Sequence, residues 1–141
     1  MYKVTPITSI PQLSSLFDQL KVHLELALTK APEYNVTDVI QEVIQGISVL
    51  WYITDTKGSI VGVVTTQIKQ YPQLKVGLIH LLGGTDINKW VHTIETLESW
   101  AASNGCDSME IQGRRGWLKM LPDYKEQRVF MTKQLSKGEL S

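Results

Sequence analysis

Cysteine is almost absent: Cys106 is the only one in 141 residues. A single thiol excludes an internal disulfide and any cysteine-rich zinc site, and it suits a reducing compartment without requiring one. No metal centre is expected. Net charge is missing too, because 14 Lys and Arg balance 14 Asp and Glu. No overall positive field gathers nucleic acid, and no long block of like charge serves as an interaction tail. No apolar run approaches the ~20 residues of a membrane span. The opening Met1-Tyr2-Lys3-Val4-Thr5-Pro6 lacks the apolar region of a signal peptide. Repeats, linkers and low-complexity segments are also lacking. Together these absences predict a cytoplasmic protein, or one packaged in something assembled there, with neither membrane nor nucleic acid as partner.

What remains is ordinary for a globular chain, with 43% hydrophobic and 20% charged residues. The length suits one domain, 1–135, followed by a polar, frayed tail at 136–141. Tyr2 to Val4 predicts a short first strand. Ser9-Ile10-Pro11-Gln12 has serine as cap, an early proline and a glutamine to complete a capping box. Leu13, Leu16, Phe17, Leu20, Leu24 and Leu28 follow at helical spacing, so a helix is expected from Pro11 to Lys30. Asn35 with Asp38 caps a second helix, which Gly46 ends. Three β-branched runs come next, Ser48–Thr54, Ser59–Lys69 and Lys75–Leu82, joined by short turns that make them antiparallel neighbours.

Leu78-Ile79-His80-Leu81-Leu82-Gly83-Gly84-Thr85-Asp86 then runs into a helical pattern from Ile87 to Asn104. A strand that ends in two glycines at a helix start offers backbone N–H groups able to hold an anion. The alternative is a structural turn with Asp86 capping the helix through its side chain. A strand from 107 to 112, a helical piece from 114 to 121 and a last strand from Gln127 to Gln134 complete the order. The fold class is therefore α+β: a mixed, mostly antiparallel central sheet with helices on both faces.

This element order, with the Gly-Gly step after the fourth strand, resembles the GNAT N-acyltransferase superfamily. Trp100-Ala101-Ala102-Ser103-Asn104-Gly105-Cys106-Asp107 is similar to the superfamily's helix-to-strand junction. Val129-Phe130-Met131-Thr132-Lys133-Gln134-Leu135 matches its usual last strand. Gly113-Arg114-Arg115-Gly116-Trp117-Leu118-Lys119-Met120-Leu121 looks like small GNAT-like proteins encoded by tailed phages. Active members hold the coenzyme A pyrophosphate with a Q/R-x-x-G-x-G/A loop. Gly83-Gly84-Thr85-Asp86-Ile87-Asn88 stands in its place, shorter and without a basic residue. The family's tyrosine acid is also missing from 114–121.

The resemblance implies acetyl-CoA as cofactor and an amine as acceptor. Leu82, Gly83, Gly84 and Thr85, with Arg114 and Arg115, would then bind the coenzyme. His80 is the candidate base, with an imidazole pKa near working pH, or Glu110 acting through a held water; Tyr124 is the candidate acid if its loop folds back. The competing reading of His80 is a core histidine hydrogen-bonded to backbone. Glu98 falls within the apolar stripe Ile87, Trp90, Val91, Ile94, Leu97 and Ala101, so its carboxylate needs a partner, for which Arg114 or Arg115 is expected. Two functions follow. One is an acyl-CoA-dependent N-acetyltransferase. The other is a non-catalytic scaffold of the same fold, such as a phage accessory or virion-assembly protein.

Overall fold

The computed structural model describes residues 1–112 and 116–137. Five strands form one sheet in the order β1-β2-β3-β4-β5: Lys3–Pro6, Val49–Thr54, Ile60–Gln70, Lys75–Gly84 and Ser108–Ile111. The first four are antiparallel neighbours, and β5 joins β4 in parallel. Helices α1 (Ile10–Leu28) and α2 (Val36–Ile44) cover one face; α3 (Ile87–Trp90) and α4 (Ile94–Ser103) cover the other. The short helix α5 spans Trp117–Met120.

Strand alternation divides the interior into two cores. Leu50, Val63 and Leu81 pack with Leu20 and Leu24 of α1, whereas Trp51, Ile53, Val64 and Ile79 pack with Trp90, Ile94 and Leu97. Leu20 and Leu24 are fully buried, each worth roughly 1.5–3 kcal/mol against remaining in water. The Ser9 hydroxyl accepts from the Gln12 N–H at 3.2 Å, as expected of a cap, but the Gln12 side chain reaches the Thr8 N–H instead of the serine's own. Asn35 and Asp38 form the complete reciprocal box.

Three expectations are corrected. The strand does not stop at Leu82 with the glycines as a turn beyond it: β4 ends in the two glycines as paired residues, Gly83 opposite Val63 and Gly84 opposite Gly62. The helix from Ile87 to Asn104 is broken at Trp90 by a 3₁₀ turn, Val91–Thr93. Trp90 is fully buried, its ring lies against Gly62 and Gly84, and its indole N–H donates to the Thr85 carbonyl at 2.8 Å. Seating the indole there takes the Trp90 backbone out of helical geometry, and the Thr93 hydroxyl donates to the Trp90 carbonyl at 2.6 Å. The last strand, Gln127 to Gln134, is absent. Those residues run exposed and irregular, because strand propensity gains nothing without a partner to hydrogen-bond.

Gly83 shows how closely the layers meet. A Cβ there would lie 2.6 Å from the Ala27 backbone nitrogen of α1. Gly83→Ala should force α1 off the sheet and cost about 1–3 kcal/mol, as overpacking does. Urea denaturation checks this; an unchanged midpoint would show that α1 is not held against β4 at this point.

Candidate functional site at the β4 bulge

The site begins with an irregularity in β4. Thr65 pairs with Leu81 and Thr66 with Ile79, so His80 is an extra residue, a β-bulge. A bulge frees a backbone N–H from the ladder. Here the Leu81 N–H donates to the Thr65 hydroxyl at 3.1 Å, and Thr65 is buried. The bulge also shifts side-chain phase: Ile79 and Leu82 face the α3/α4 core, while Leu81 faces the α1/α2 core.

The pairing of β5 with β4 stops at the same point. It runs from Val76 opposite Ser108 to Ile79 opposite Ile111. Among the described residues, β4 continues from His80 to Gly84 with β3 as its only strand partner. β5 ends at Ile111, so His80 is the first residue of β4 beyond the described pairing of the two parallel strands.

The His80 ring packs edge-on against Tyr34, with centroids 5.0 Å apart and planes at 77°. Burial lowers its pKa below the ordinary 6.5; Glu42 and Glu33 pull upward, and Lys69 adds to the lowering. The imidazole is neutral at pH 7. Neither ring nitrogen of His80 has a hydrogen-bond partner among the described residues, so the backbone-bonded core histidine is not His80 but His23, whose Nε2 lies 3.1 Å from the Ile60 carbonyl oxygen. Tyr34 keeps its proton, its pKa raised by burial first and then by Glu42, Glu33 and Asp38. Sequence reasoning missed Tyr34. The available signal was its place in the break between two helices, just after Pro32.

The remaining candidates divide. Glu110 sits opposite Leu78 on β5, and strand alternation puts it on the same sheet face as His80. Tyr124 is elsewhere: its hydroxyl donates to the Glu98 carboxylate of α4 at 2.6 Å. Burial, then that bond and that charge, raise its pKa far above the tyrosine range, so it is a poor acid. This bond supplies the partner that Glu98 required. Arg114 and Arg115, expected in that role and on the coenzyme, lie outside the described residues.

The step from β4 to α3 is short. Gly84 lies against the Val61 carbonyl oxygen and Gly62, at φ +156, where a side chain has no room. The Thr85 N–H donates to the Val61 carbonyl at 2.9 Å. Asp86 begins the helix in the left-handed region, φ 51, without a side-chain cap bond, which corrects the expected aspartate cap. Its carboxylate lies 4.0 Å from Lys89. Both glycines are thus accounted for by close packing. Neither is left as an open glycine cradle.

No protein-family model and no curated protein matches the sequence. Solved structures do match. Glucosamine-6-phosphate N-acetyltransferase from Arabidopsis thaliana aligns over 96% of this chain and 99% of its own, with TM-score 0.65 and 17% identity. Aminoglycoside 6'-N-acetyltransferase from Acinetobacter baumannii aligns over 96% and 100%, at 0.64 and 14%. A GNAT family acetyltransferase from Staphylococcus aureus aligns over 95% and 98%, at 0.66 and 12%. The fold is that of the GNAT acetyltransferases. No helix among the described residues is long and apolar enough to cross a membrane.

Two outcomes are expected here. Thr65→Val keeps the shape but leaves the buried Leu81 N–H unpaired, costing about 1–3 kcal/mol by denaturation. Tyr124→Phe removes the bond to Glu98 and should cost roughly 1.5–3 kcal/mol near neutral pH. Folding raises the Tyr124 pKa above its ordinary 10.0, so the protonated form is the one the fold favours. The stability difference between wild type and Tyr124→Phe should hold below pH 10 and shrink as pH rises above it. A difference independent of pH would remove Tyr124 as its source.

Proposed function

We propose that this protein is an N-acetyltransferase that takes acetyl-CoA as donor and a cationic amine as acceptor. The observation that carries this reading is His80: a neutral imidazole without a hydrogen-bond partner among the described residues, set by a bulge in β4 just beyond the end of its pairing with β5. The edge of β4 away from β3, from Leu82 to Gly83, has no strand partner among the described residues and suits the amide groups of a pantetheine arm. The coenzyme, when bound, supplies the thioester. Glu33 and Glu42, whose charges act on His80, favour an ammonium group nearby. His80 takes the proton that makes the amine nucleophilic, directly or through a water held by Glu110. Tyr34 beside it is the better proton donor by position than Tyr124, which is committed to Glu98. Gly84 and Thr85 contribute little to the pyrophosphate, since packing and the Val61 carbonyl occupy them. The cations that the sequence offers its charges are Arg114 and Arg115.

One observation favours a second reading, a non-catalytic scaffold such as a virion-assembly protein: the glycines and the Thr85 N–H are spent on packing rather than left open to a phosphate.

Thermal unfolding with acetyl-CoA separates the two. A ligand at about a hundred times its dissociation constant adds roughly 2.7 kcal/mol, which raises the midpoint on the order of 5 °C or more. His80→Gln should keep that shift while slowing acetyl transfer to a polyamine by about 10²–10⁴-fold. The catalytic rate should fall as pH drops through the lowered His80 pKa, because the protonated ring cannot accept a proton. The absence of a shift with any acyl-CoA would sink the enzyme reading and leave the scaffold.

A further inference from the structure

Glu42 stands in the last turn of α2, where an acid lies against the negative end of the helix dipole and weakens the helix. It is nevertheless fixed at both its main chain and its side chain. The Glu42 carbonyl accepts the Ile47 N–H at 2.9 Å, and Gly46, at φ 78, turns the chain out of the helix and donates to the Val43 carbonyl at 3.1 Å. The Glu42 carboxylate accepts from the Gln67 amide at 3.4 Å. The same amide nitrogen donates to the Ser48 hydroxyl at 2.9 Å, and both Gln67 and Ser48 are buried. No cation pairs with Glu42 among the described residues. Gln67 lies opposite Leu78 of β4, and Leu78 opposite Glu110 of β5, so the carboxylate is held over the sheet face that carries His80. After burial, its charge is the strongest influence on the protonation of both His80 and Tyr34. The neighbouring acids are placed differently: Asp38 is committed to the Asn35 capping box and Glu33 is exposed. A half-buried carboxylate without a counter-ion, set against its own helix dipole, does nothing for the stability of α2.

We propose that Glu42 anchors the far ammonium group of a diamine acceptor, and that Gln67 is the positioning residue that aims it. This rests on the acetyl-transfer reading above and names the acceptor class for it. The reacting nitrogen must lose its charge before it attacks, and a carboxylate fixed beside it would hold it protonated. A permanent carboxylate next to the base therefore fits a second nitrogen, one that keeps its charge throughout. The near nitrogen meets His80 and forms the amide bond as the thioester C–S bond breaks. Of the two protons it gives up, one leaves through His80 to water and the other goes to the departing sulfur. The far nitrogen donates to Glu42 in a charge-assisted hydrogen bond. Gln67 holds the carboxylate without neutralising it, whereas a lysine or arginine in its place would cancel the charge the ligand needs. Because the carboxylate is already oriented, little ordering is required when the ammonium arrives. A monoamine reaches His80 but leaves Glu42 without its partner, which is the basis of discrimination.

The test compares acetyl transfer to a series of α,ω-diamines with transfer to the monoamine of each chain length. The wild type is expected to prefer the diamine by about 10–100-fold in kcat/KM at one best length. Glu42→Gln keeps an oxygen for the Gln67 amide and should abolish that preference, with the loss falling on the diamine KM more than on kcat. Gln67→Met, which removes the donors, should also raise the diamine KM. Far-ultraviolet circular dichroism of both variants should match the wild type. Calorimetric titration of the best diamine into protein saturated with free coenzyme A should show the same weakening in Glu42→Gln without any turnover. Transfer to diamines and monoamines alike by the wild type overturns the anchor and leaves the acetyltransferase standing. A preference that survives Glu42→Gln overturns it equally, and a diamine KM unmoved by Gln67→Met overturns the positioning role. Absence of transfer to every amine, with no acetyl-CoA shift in unfolding, removes the acetyltransferase and the anchor together.

Discussion

The hydrogen bond from the Leu81 N–H to the Thr65 hydroxyl is the contact on which the rest of this site depends. An extra residue in a strand leaves a backbone donor unpaired, and an unpaired donor in a buried strand is costly. Thr65 supplies the missing acceptor from the neighbouring strand, so β4 can carry His80 as a bulge at little cost. That one residue of slippage turns the imidazole toward Tyr34. It also lies where the described pairing of β4 with β5 ends. The imidazole and its aromatic neighbour are brought together by one local defect in a ladder.

Around that defect the layers are pressed close. α1 lies against Gly83, and the Trp90 indole lies against Gly62 and Gly84. The Trp90 N–H holds the Thr85 carbonyl, and the Thr85 N–H holds the Val61 carbonyl. These contacts make the end of β4 rigid. They also consume the backbone groups that a phosphate would use. The same glycines cannot serve both as contact points for a helix and an indole and as an open nest for an anion. The β4–α3 step is thus closed by packing, and the polar side chain nearest it on β4 is the His80 imidazole.

The central strand keeps the sheet in register despite the bulge in β4. β3 is buried on both faces and contains Thr65, Thr66 and Gln67 among its apolar residues. Each has a partner: Leu81 for Thr65, the Trp51 indole for Thr66 at 2.8 Å, and the Ser48 hydroxyl for Gln67 at 2.9 Å. Buried polar groups that are all satisfied fix register rather than weaken it. The central strands therefore stay aligned on either side of the one-residue bulge in β4.

Local pattern determined much of this protein from the sequence alone. The caps at Ser9 and Asn35, the meander, the parallel crossover strand and the α+β class depend on near neighbours in the chain and on hydrophobic period. The resemblance to GNAT proteins followed from that order, and the fold bears it out. His80 stood out because a polar ring interrupts an apolar run. Tertiary structure decided the rest. Periodicity from Ile87 to Asn104 is continuous, so nothing in it marks the break that seating Trp90 imposes. Strand propensity at 127–134 is high, but a strand exists only where another strand offers its edge. The Gly-Gly pair looked like an anion cradle until Ala27, Val61 and Trp90 were found against it. Glu98 declared its need for a partner, and only the folded chain named Tyr124. In each case the deciding contact joins residues far apart in sequence, and a linear pattern shows which side chain needs a neighbour but not which neighbour packing delivers.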